Sequence, residues 1–493
     1  MPGHGAYQRD GDRTDMTATT ATASQAATNT APSTQSPAIT RELAQWAAGL
    51  KHSDLPQDVV HQIKRLTLDY YCAVIAGSTT PTSRMAQAYF SSAEKGDSAG
   101  VVGTDITLST HSAAFVNGTA AHGLELDDGY TPGSYHPGAA CMPAIMAVAQ
   151  AYRSSAQDIV AAIAIGFELS CRMARAGHPH TWQNGFHNTG VNGVFGCASG
   201  VGKLLDLSDQ QMNWALGMAG SFSSGLFEFL GEGSEVKRLH PGKCARDGVV
   251  VAELAKRGID GPLTGIEGKN GYFKAYASGK ANGPSTLEEL GQTWELLMTY
   301  VKPYPCCRHL HAPIDAILEI KRTTSLDAQQ IDSIIIQTNQ VAARHAHTHY
   351  TAFLDAQMSI PYAVAAAVVF DEIGLDAFDR QARERQDIAA LVPKVKVEVS
   401  ESMQAVYPMQ RPAHVIIVMK DGSRHEFTQR QPYGEPDNPL DDAALTGKFH
   451  AVCDPIIGRE RAEQIAQACW NLDFEGIFRL TALKADEVTD AAL

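Results

Sequence analysis

The sequence predicts a mainly α protein, with a large all-helical domain and a smaller α+β lid domain. Residues 38–299 carry apolar side chains at helical spacing and few strand signals. After about residue 302, β-branched and alternating stretches appear, mixed with a buried helix. The C-terminal residues then return to helical patterns. We therefore expect a discontinuous helical domain, formed by 38–299 and 438–493, and an α+β lid domain over 300–437.

Within the helical region, the stretch DVVHQIKRLTLDYYCAVIAG, 58–77, predicts a long helix that ends near a glycine. Its apolar stripe is formed by Val59, Ile63, Leu66 and Tyr70. A second helix is predicted after Ser208, because a serine followed three residues later by Gln211 forms a capping box. Other helices, such as 112–124 and 190–205, are rich in Ala, Gly and Ser. Small side chains of this kind let helices pack closely.

The strand signals of the lid domain follow in order along the chain. The stretch IDSIIIQTN, 331–339, is apolar and β-branched, and KVKVEVS, 394–400, alternates with period two. The stretch HVIIVMKDGSRHEFTQ, 414–429, predicts a hairpin around its Asp-Gly dipeptide. Between these strands, the apolar stretch QMSIPYAVAAAVVFDEI, 357–373, predicts a buried helix.

Composition restricts the class of partner. Forty basic against fifty-four acidic residues give a formal net charge of −14 over 493 residues. Nucleic acid and anionic membrane surfaces should repel such a chain, so we expect no nucleic-acid and no membrane partner. The longest apolar run, residues 159–167, is too short to cross a bilayer. The expected partners are a small molecule and other copies of the chain.

The first 37 residues are rich in Thr, Ala, Ser and Gln and poor in large apolar side chains, which predicts a disordered tail. They lack the apolar core of a secretory signal. The nine cysteines have no regular spacing, which favours a reducing compartment over a disulfide framework. We therefore expect a cytoplasmic protein, with a mitochondrial location as the alternative.

Several motifs are candidates for cofactor or metal sites. The stretch GVFGCASGVGK, 193–203, lacks the glycine spacing and the hydroxyl residue of a phosphate-binding loop, so it predicts close helix packing. A magnesium site that binds a diphosphate needs a third carboxylate one turn after such a pair. The pair Asp127-Asp128 has none there. CCRHLH, 306–311, and HAHTHY, 345–350, offer thiols and imidazoles at poor spacing for one ion. We expect no metal and no cofactor, although a metal at these two motifs stays an alternative.

Four separate segments place cationic or proton-transferring groups beside Pro or Gly, where helices begin. Such groups are well placed to meet an anion together with helix-terminal amides. In an acidic protein, four such segments predict a local cationic site for a polycarboxylate. Their candidate residues are His136 in SYHPG; His187 in NGFHNTG; Lys237, Arg238, His240 and Lys243 in GSEVKRLHPGK; and Lys302, Cys307 and His311 in YVKPYPCCRHLH.

These segments resemble the MmgE/PrpD family, which includes 2-methylcitrate dehydratases, cis-aconitate decarboxylases and some epimerases of dicarboxylates. The resemblance covers about residue 38 to the C-terminus. It rests on ELDD…HPG, GFH…GVFGCASGVGKLLDL, VKRLHPGKCARDG and KPYPCCRHLHAPIDA, in this order and spacing. It implies a large helical domain, a smaller α+β lid domain, a homodimer without metal or cofactor, and an active site between the two domains.

The resemblance also implies site residues. The catalytic positions carried over by motif are His136, His187, Lys237 and Lys302. The expected substrate-binding residues are Glu125, Asp128, Arg238, His240, Cys307 and Tyr362. In ELDDGYTPGSYHPG, 125–138, the acidic run is then the positioning partner of the neighbouring cations. The loop from Asp128 to His136 is one residue longer than in animal cis-aconitate decarboxylases, and Cys307 stands where that branch has histidine.

Dehydration of a citrate, decarboxylation of an aconitate and epimerisation of a dicarboxylate all develop negative charge beside a carboxylate. Lysines can stabilise that charge, and histidines can move the proton on carbon. We therefore expect a lyase acting on a citrate- or aconitate-like tricarboxylate, with cis-aconitate decarboxylation ahead of 2-methylcitrate dehydration. The alternatives are an epimerase or isomerase of a dicarboxylate such as iminodisuccinate, and a non-catalytic member that binds carboxylates.

Overall fold

Residues 38–94, 96–229 and 234–490 are described by a computed structural model of the chain. The predicted disordered tail, 1–37, lies outside these ranges. The described residues are mainly α-helical, with a smaller α+β part, and the predicted fold class is confirmed. None of the helices in these ranges combines the length and apolarity that a bilayer crossing requires.

Most helices precede residue 257 or follow residue 441, on either side of the main sheet. In the first part of the chain they are α1 Ile39–Gly49, α2 Gln57–Ser78, α3 Pro81–Ala93, α4 Thr110–Ala121, α5 Pro137–Tyr152, α6 Ala156–Gly177, α7 His180–Gln183, α8 Asn188–Leu204, α9 Asp209–Phe222, α10 Val236–Lys256 and α11 Tyr272–Tyr276. The later helices are α12 His311–Thr323, α13 Phe353–Gln357, α14 Ile360–Val369, α15 Arg380–Arg383, α16 Gln386–Leu391, α17 Glu401–Ala405, α18 Asp442–Ile457, α19 Arg459–Asn471 and α20 Phe474–Leu480.

Local sequence accounts for several of these helices. All four residues of the predicted stripe on α2 are buried. The capping box before α9 forms as predicted, since Ser208 and Gln211 each bond the other's backbone amide. The glycine-rich stretch 193–203 lies inside α8, which confirms helix packing there rather than a phosphate-binding loop.

The main sheet has four strands in the order β6-β5-β7-β8, with β5 Ile331–Thr338, β6 Val395–Val399, β7 Ala413–Met419 and β8 Arg424–Gln429. The β5–β6 pair is parallel, and the β5–β7 and β7–β8 pairs are antiparallel. The predicted hairpin is β7–β8. Alternate residues of β5 and β7 are buried, and helices α12 and α14 pack against this sheet. This burial is the physical reason for the period-two pattern.

Two hydrophobic clusters fill the described ranges. One is formed by residues between 39 and 301 and between 440 and 483, because α18 packs on α2 and on α19. The other is formed by residues between 306 and 417, around the main sheet. We call the parts of the chain around these clusters the helical side and the sheet side. The domain boundaries at 299/300 and 437/438 themselves stay predictions.

A pair of strands, each two residues long, joins distant parts of the chain next to the acidic segment 125–128. Strand β3, Gly129–Tyr130, pairs antiparallel with β4, Thr299–Tyr300, and an equally short pair, β1–β2, joins Ala99–Gly100 to Thr107–Leu108. The register pairs Gly129 with Tyr300, so the residues before β3 face the residues after β4. This pairing brings the acidic segment 125–128 next to Lys302.

Candidate active site

A cavity lies where the helical side meets the sheet side, and it encloses about 820 Å³ of space, counting its open mouth. From the helical side it is lined by Glu125, His136, His187 and Lys237, among others. From the sheet side it is lined by Cys307, Arg308, His309, Arg344, His345 and Arg411, among others. Five residues predicted from the sequence therefore line one cavity: Glu125, His136, His187, Lys237 and Cys307.

Glu125 holds two lysines at the floor of the cavity. Lys237 donates to Oε1 of Glu125, and the Lys302 ammonium lies 3.3 Å from Oε2. All three side chains are buried. Burial alone would raise the pKa of Glu125, but the two lysines hold it well below its usual range. The carboxylate thus fixes both amines in place, and with Asp127 it raises the pKa of Lys302 against the effect of burial.

Asp127 binds two imidazoles. Its Oδ2 lies 2.7 Å from Nδ1 of His122 and 3.3 Å from Nδ1 of His136, while Oδ1 lies 3.7 Å from the Lys302 ammonium. Burial would raise the pKa of Asp127, but His122, His136 and Lys302 together hold it well below its usual range. Asp127 is therefore an ionised carboxylate between two imidazoles and an ammonium group.

His136 presents one nitrogen to the cavity. It occupies the N-cap position of α5, and its Nδ1 lies 2.7 Å from the carbonyl oxygen of Asp128. A carbonyl oxygen can only accept, so Nδ1 carries a proton. The second nitrogen, Nε2, makes no hydrogen bond to the described residues. His136 can therefore give or take a proton at Nε2, with Asp127 stabilising the imidazolium.

His187 and His240 form a second imidazole pair. Their Nδ1 atoms lie 2.9 Å apart, and His187 occupies the N-cap position of α8. Burial lowers the pKa of His187 well below its usual range, and the charges of His240, His122 and Lys237 lower it further. Burial lowers the pKa of His240 to about 4. Both rings are neutral near pH 7, so one must donate to the other.

On the sheet side, Cys307 pairs with His345. The Cys307 sulfur lies 3.7 Å from Nε2 of His345, whose Nδ1 lies 2.9 Å from the carbonyl oxygen of Met358. Burial would raise the pKa of the Cys307 thiol, but the charge and hydrogen bond of His345 lower it to about 7. The Cys307 thiol is therefore a group that titrates near neutrality.

Other predicted residues lie behind the cavity wall. Asp128 accepts from the backbone N–H of Gly138, in the first turn of α5, at 2.8 Å, and Arg238 lies 3.2 Å from Glu235. The hydroxyl of Tyr362 donates to the carbonyl oxygen of Ala377 at 2.8 Å, with its ring in the sheet-side core. The structure does not bring these three side chains to the cavity. Each has a local partner instead, which is buried for Asp128 and Tyr362 and exposed for Arg238.

Four further predicted residues lie at different distances from the cavity: Lys302, His240, Lys243 and His311. Lys302 is fully buried beneath the cavity floor, and His240 reaches the cavity only through its contact with His187. Lys243 donates to the carbonyl oxygen of Phe222 and pairs with Asp247 within α10. His311 is buried against Arg308, with their ring and guanidinium nitrogens 2.9 Å apart.

Sequence reasoning missed several site residues. His122 stands three residues before Glu125, so the segment HGLELDD carried a signal for it. His345 was considered only within the alternating HAHTHY motif. The other missed residues are Asp127, beside the predicted Asp128; Arg308 and His309, inside CCRHLH; Arg344, directly before HAHTHY; and Arg411, which has no motif around it.

One group of described residues has the proximity of a metal site. Ligand atoms of His122, Asp127 and His136 all lie within 4.8 Å of one another. Nδ1 of His122 is hydrogen-bonded to Asp127, and Nδ1 of His136 is hydrogen-bonded to the carbonyl oxygen of Asp128 and lies 3.3 Å from Asp127, which accounts for the arrangement without an ion. The alternative chelating array of HAHTHY does not form, because its segment is no strand and His345 is buried while His347 is exposed.

Comparisons with known proteins agree with this geometry. Residues 41–284 match the MmgE/PrpD N-terminal domain, and residues 304–472 match the MmgE/PrpD C-terminal domain. A cis-aconitate decarboxylase of Aspergillus terreus is 26% identical over 458 residues, which are 88% of this chain and 93% of that protein. The human cis-aconitate decarboxylase is 27% identical over 467 residues, 90% of this chain and 94% of that protein. A cis-aconitate decarboxylase-like protein of Aspergillus oryzae is 26% identical over 479 residues, 91% of this chain and 98% of that protein.

The two matched domains together span most of the chain, on both sides of the cavity. The resemblance stated from the motifs is therefore confirmed at the level of the family. The chain belongs to the MmgE/PrpD family.

Proposed function

We propose that this protein is a lyase of a citrate- or aconitate-like tricarboxylate, and that its reaction is the decarboxylation of cis-aconitate. The single observation that carries the proposal is the cluster around Glu125 and Asp127. Two buried ammonium groups lie beside an imidazole whose free nitrogen is positioned for proton transfer. The names of the relatives favour decarboxylation over the other reactions of the family.

In the proposed reaction, the C–C bond to the leaving carboxylate breaks and CO₂ departs. The electron pair of that bond forms a new C=C bond, and the former C=C pair moves onto the conjugated carboxylate. Negative charge therefore grows on a carboxylate that is already anionic. Lys237 and Lys302 would stabilise this charge, since preorganised cations in a site with little water are effective where charge develops.

The carbon next to the conjugated carboxylate then takes a proton from Nε2 of His136. The electron pair on the carboxylate returns to form the C–H bond, and His136 is reprotonated from solvent. Asp127 supports the charged imidazole before transfer. His187, neutral near pH 7, would act as a hydrogen-bond partner of the substrate rather than as a second acid.

The test is turnover in deuterated water followed by NMR. Purified protein is incubated separately with cis-aconitate, 2-methylcitrate and iminodisuccinate. The proposal expects loss of CO₂ from cis-aconitate, with one deuterium on the carbon that is protonated. Loss of water from 2-methylcitrate alone would identify a dehydratase, and deuterium uptake without substrate loss would identify an epimerase. No change in any of the three acids would favour the non-catalytic alternative.

We also propose that the enzyme acts as a homodimer in the cytoplasm and needs no added cofactor. The family membership supports the homodimer and the absence of a cofactor, whereas the irregular cysteine spacing supports the cytoplasmic location, with a mitochondrial one as the alternative. Sedimentation analysis of the purified protein tests the first, and a chelation test for the third is given below.

A further inference from the structure

Arg411 is a buried cation without a carboxylate partner. Arg411 follows α17 and precedes β7 in the chain. Its side chain lines the cavity, and the residue is 5% exposed. Its Nε atom is buried and makes no hydrogen bond. Among residues 38–94, 96–229 and 234–490, no carboxylate oxygen lies within ion-pair distance of its guanidinium.

The acidic group that acts on Arg411 is already engaged elsewhere. Glu435 contributes to the field at Arg411, together with the phenols of Tyr300 and Tyr407. Its Oε1 accepts from Nε of Arg308 at 3.0 Å and from the hydroxyl of Thr131 at 3.1 Å. Glu435 is thus the ion-pair partner of Arg308, and Arg411 has no ion pair of its own among the described residues, although Glu435 and the side chains of Tyr300, Tyr407 and Cys307 raise its pKa against the effect of burial.

The charges of the cavity therefore do not balance. Lys237 and Lys302 are matched by Glu125 and Asp127, as described above. Arg344, the other unpaired arginine of the cavity wall, stacks its guanidinium over the ring of Trp182, 4.8 Å from the centroid. A buried guanidinium without an ion pair is costly, and its planar fork is matched best by a carboxylate.

We propose that Arg411 binds a carboxylate of the substrate that neither leaves nor receives the electron pair, and so selects tricarboxylates over dicarboxylates. The inference rests on the proposed function, because it concerns the same cavity. Arg411 lines the cavity from the sheet side, whereas His136 lines it from the helical side. A substrate held at both walls would be fixed with its reacting carbon near His136.

The test measures binding alone, so that it does not depend on turnover. Calorimetry compares propane-1,2,3-tricarboxylate with glutarate, two saturated acids that differ in one carboxylate. For Arg411→Gln we expect about 10–10²-fold weaker binding of the tricarboxylate, typical of losing a charged hydrogen bond, with little change for glutarate. Arg411→Lys should fall between, since it keeps the charge and loses the fork.

A matched control is Arg322→Gln, which removes the same charge from the exposed end of α12, where Arg322 pairs with Glu319. It should bind both acids as the unaltered protein does. Thermal melting supplies a second readout.

The inference is overturned if Arg411→Gln binds the tricarboxylate as tightly as the unaltered protein, or if both acids lose the same factor. A lowered melting temperature with unchanged preference between the acids would assign Arg411 a structural role instead. Unaltered protein that binds neither acid overturns it as well. Arg411-dependent tricarboxylate binding without turnover of cis-aconitate would support the inference and reject the proposed function.

Discussion

The backbone of Glu125 is in the left-handed region, with φ of 55°. A residue other than glycine adopts this conformation at a cost, and such strain is concentrated at functional sites. The carboxylate of this strained residue binds two lysines, Lys237 and Lys302. The Glu125 carboxylate therefore positions the cations, and the cations are the groups that would meet substrate charge.

We expect Lys302→Met to lower kcat about 10²–10³-fold with a much smaller rise in KM, typical of losing one stabiliser of developing charge. The methionine approximates the shape of the side chain and removes its charge. Kinetics with cis-aconitate and the melting temperature are measured on the same preparation. Lys396→Met, at an exposed position of β6, is the control. Activity that falls only with the folded fraction would contradict the catalytic role.

We expect His136→Asn to lower turnover about 10²–10⁴-fold and to remove one limb of the pH–rate profile. Asparagine can keep the hydrogen bond to the Asp128 carbonyl oxygen but cannot titrate near pH 7. The control is His349→Asn, whose side chain is 70% exposed. A folded His136→Asn enzyme with normal turnover and an unchanged profile would reject the proton-transfer role.

We expect activity to persist after exhaustive dialysis against EDTA, because Nδ1 of His122 is already engaged by Asp127 and Nδ1 of His136 by the carbonyl oxygen of Asp128. The measurement is turnover before and after dialysis, with the metal content of both samples. Loss of activity that a divalent ion restores would instead make these three residues a catalytic metal site.

At the scale of elements, the site depends on how closely α4 and α10 approach. A Cβ atom on Gly118 would lie 2.7 Å from the Cα of Gly242, and one on Gly242 would collide with the carbonyl oxygen of Phe115. Helix α4 leads into the segment of Glu125, and α10 carries Lys237 in its first turn. The small residues that the sequence places on these helices thus set the distance between two charged partners.

We expect Gly242→Ala to destabilise the protein by about 1–3 kcal/mol, because the added methyl group forces two well-packed helices apart. The matched control is Gly447→Ala in α18, where an added Cβ meets nothing within 4 Å. That change should instead stabilise the helix by about 0.5–1 kcal/mol. Urea unfolding of both variants is the measurement, and equal stability of the two would contradict the packing argument.

At the scale of the whole molecule, many imidazoles are buried in the neutral form. Burial lowers the pKa of His122 and of His178 to about 4. Burial also lowers the pKa of His309 and His311 well below the usual range. Glu168 opposes this trend, because burial raises the pKa of its carboxyl to about 7. Among the described residues, the imidazoles whose pKa is lowered outnumber the carboxyls whose pKa is raised.

We therefore expect the protein to lose stability as the pH falls from 7 to 5. A group whose folded pKa is lowered below about 6.5 stabilises the fold fully above that pH and progressively less below it. For an imidazole with a folded pKa of about 4, the loss between pH 7 and 5 is about 2 kcal/mol. Melting temperatures across this range are the measurement. A constant or rising melting temperature toward pH 5 would contradict the prediction.

The sequence by itself determined the fold class, the elements with strong local patterns and the segments that carry the chemistry. The stripe of α2, the capping box of α9 and the β7–β8 hairpin follow from periodicity and turn chemistry that neighbouring residues supply. The order and spacing of the four polar segments were enough for the family. His136 and His187 were also placed correctly where helices begin.

Only the tertiary structure decided which side chains share the cavity. Asp127 meets Lys302 through β3 and β4, each two residues long and too short to leave a strand pattern. Arg411 enters the cavity from a segment without a motif, and Tyr362 of the motif SIPYAV points into the core instead. Local patterns report the period of an element. The direction of a side chain toward a cavity depends on the packing of segments that lie far apart in the chain.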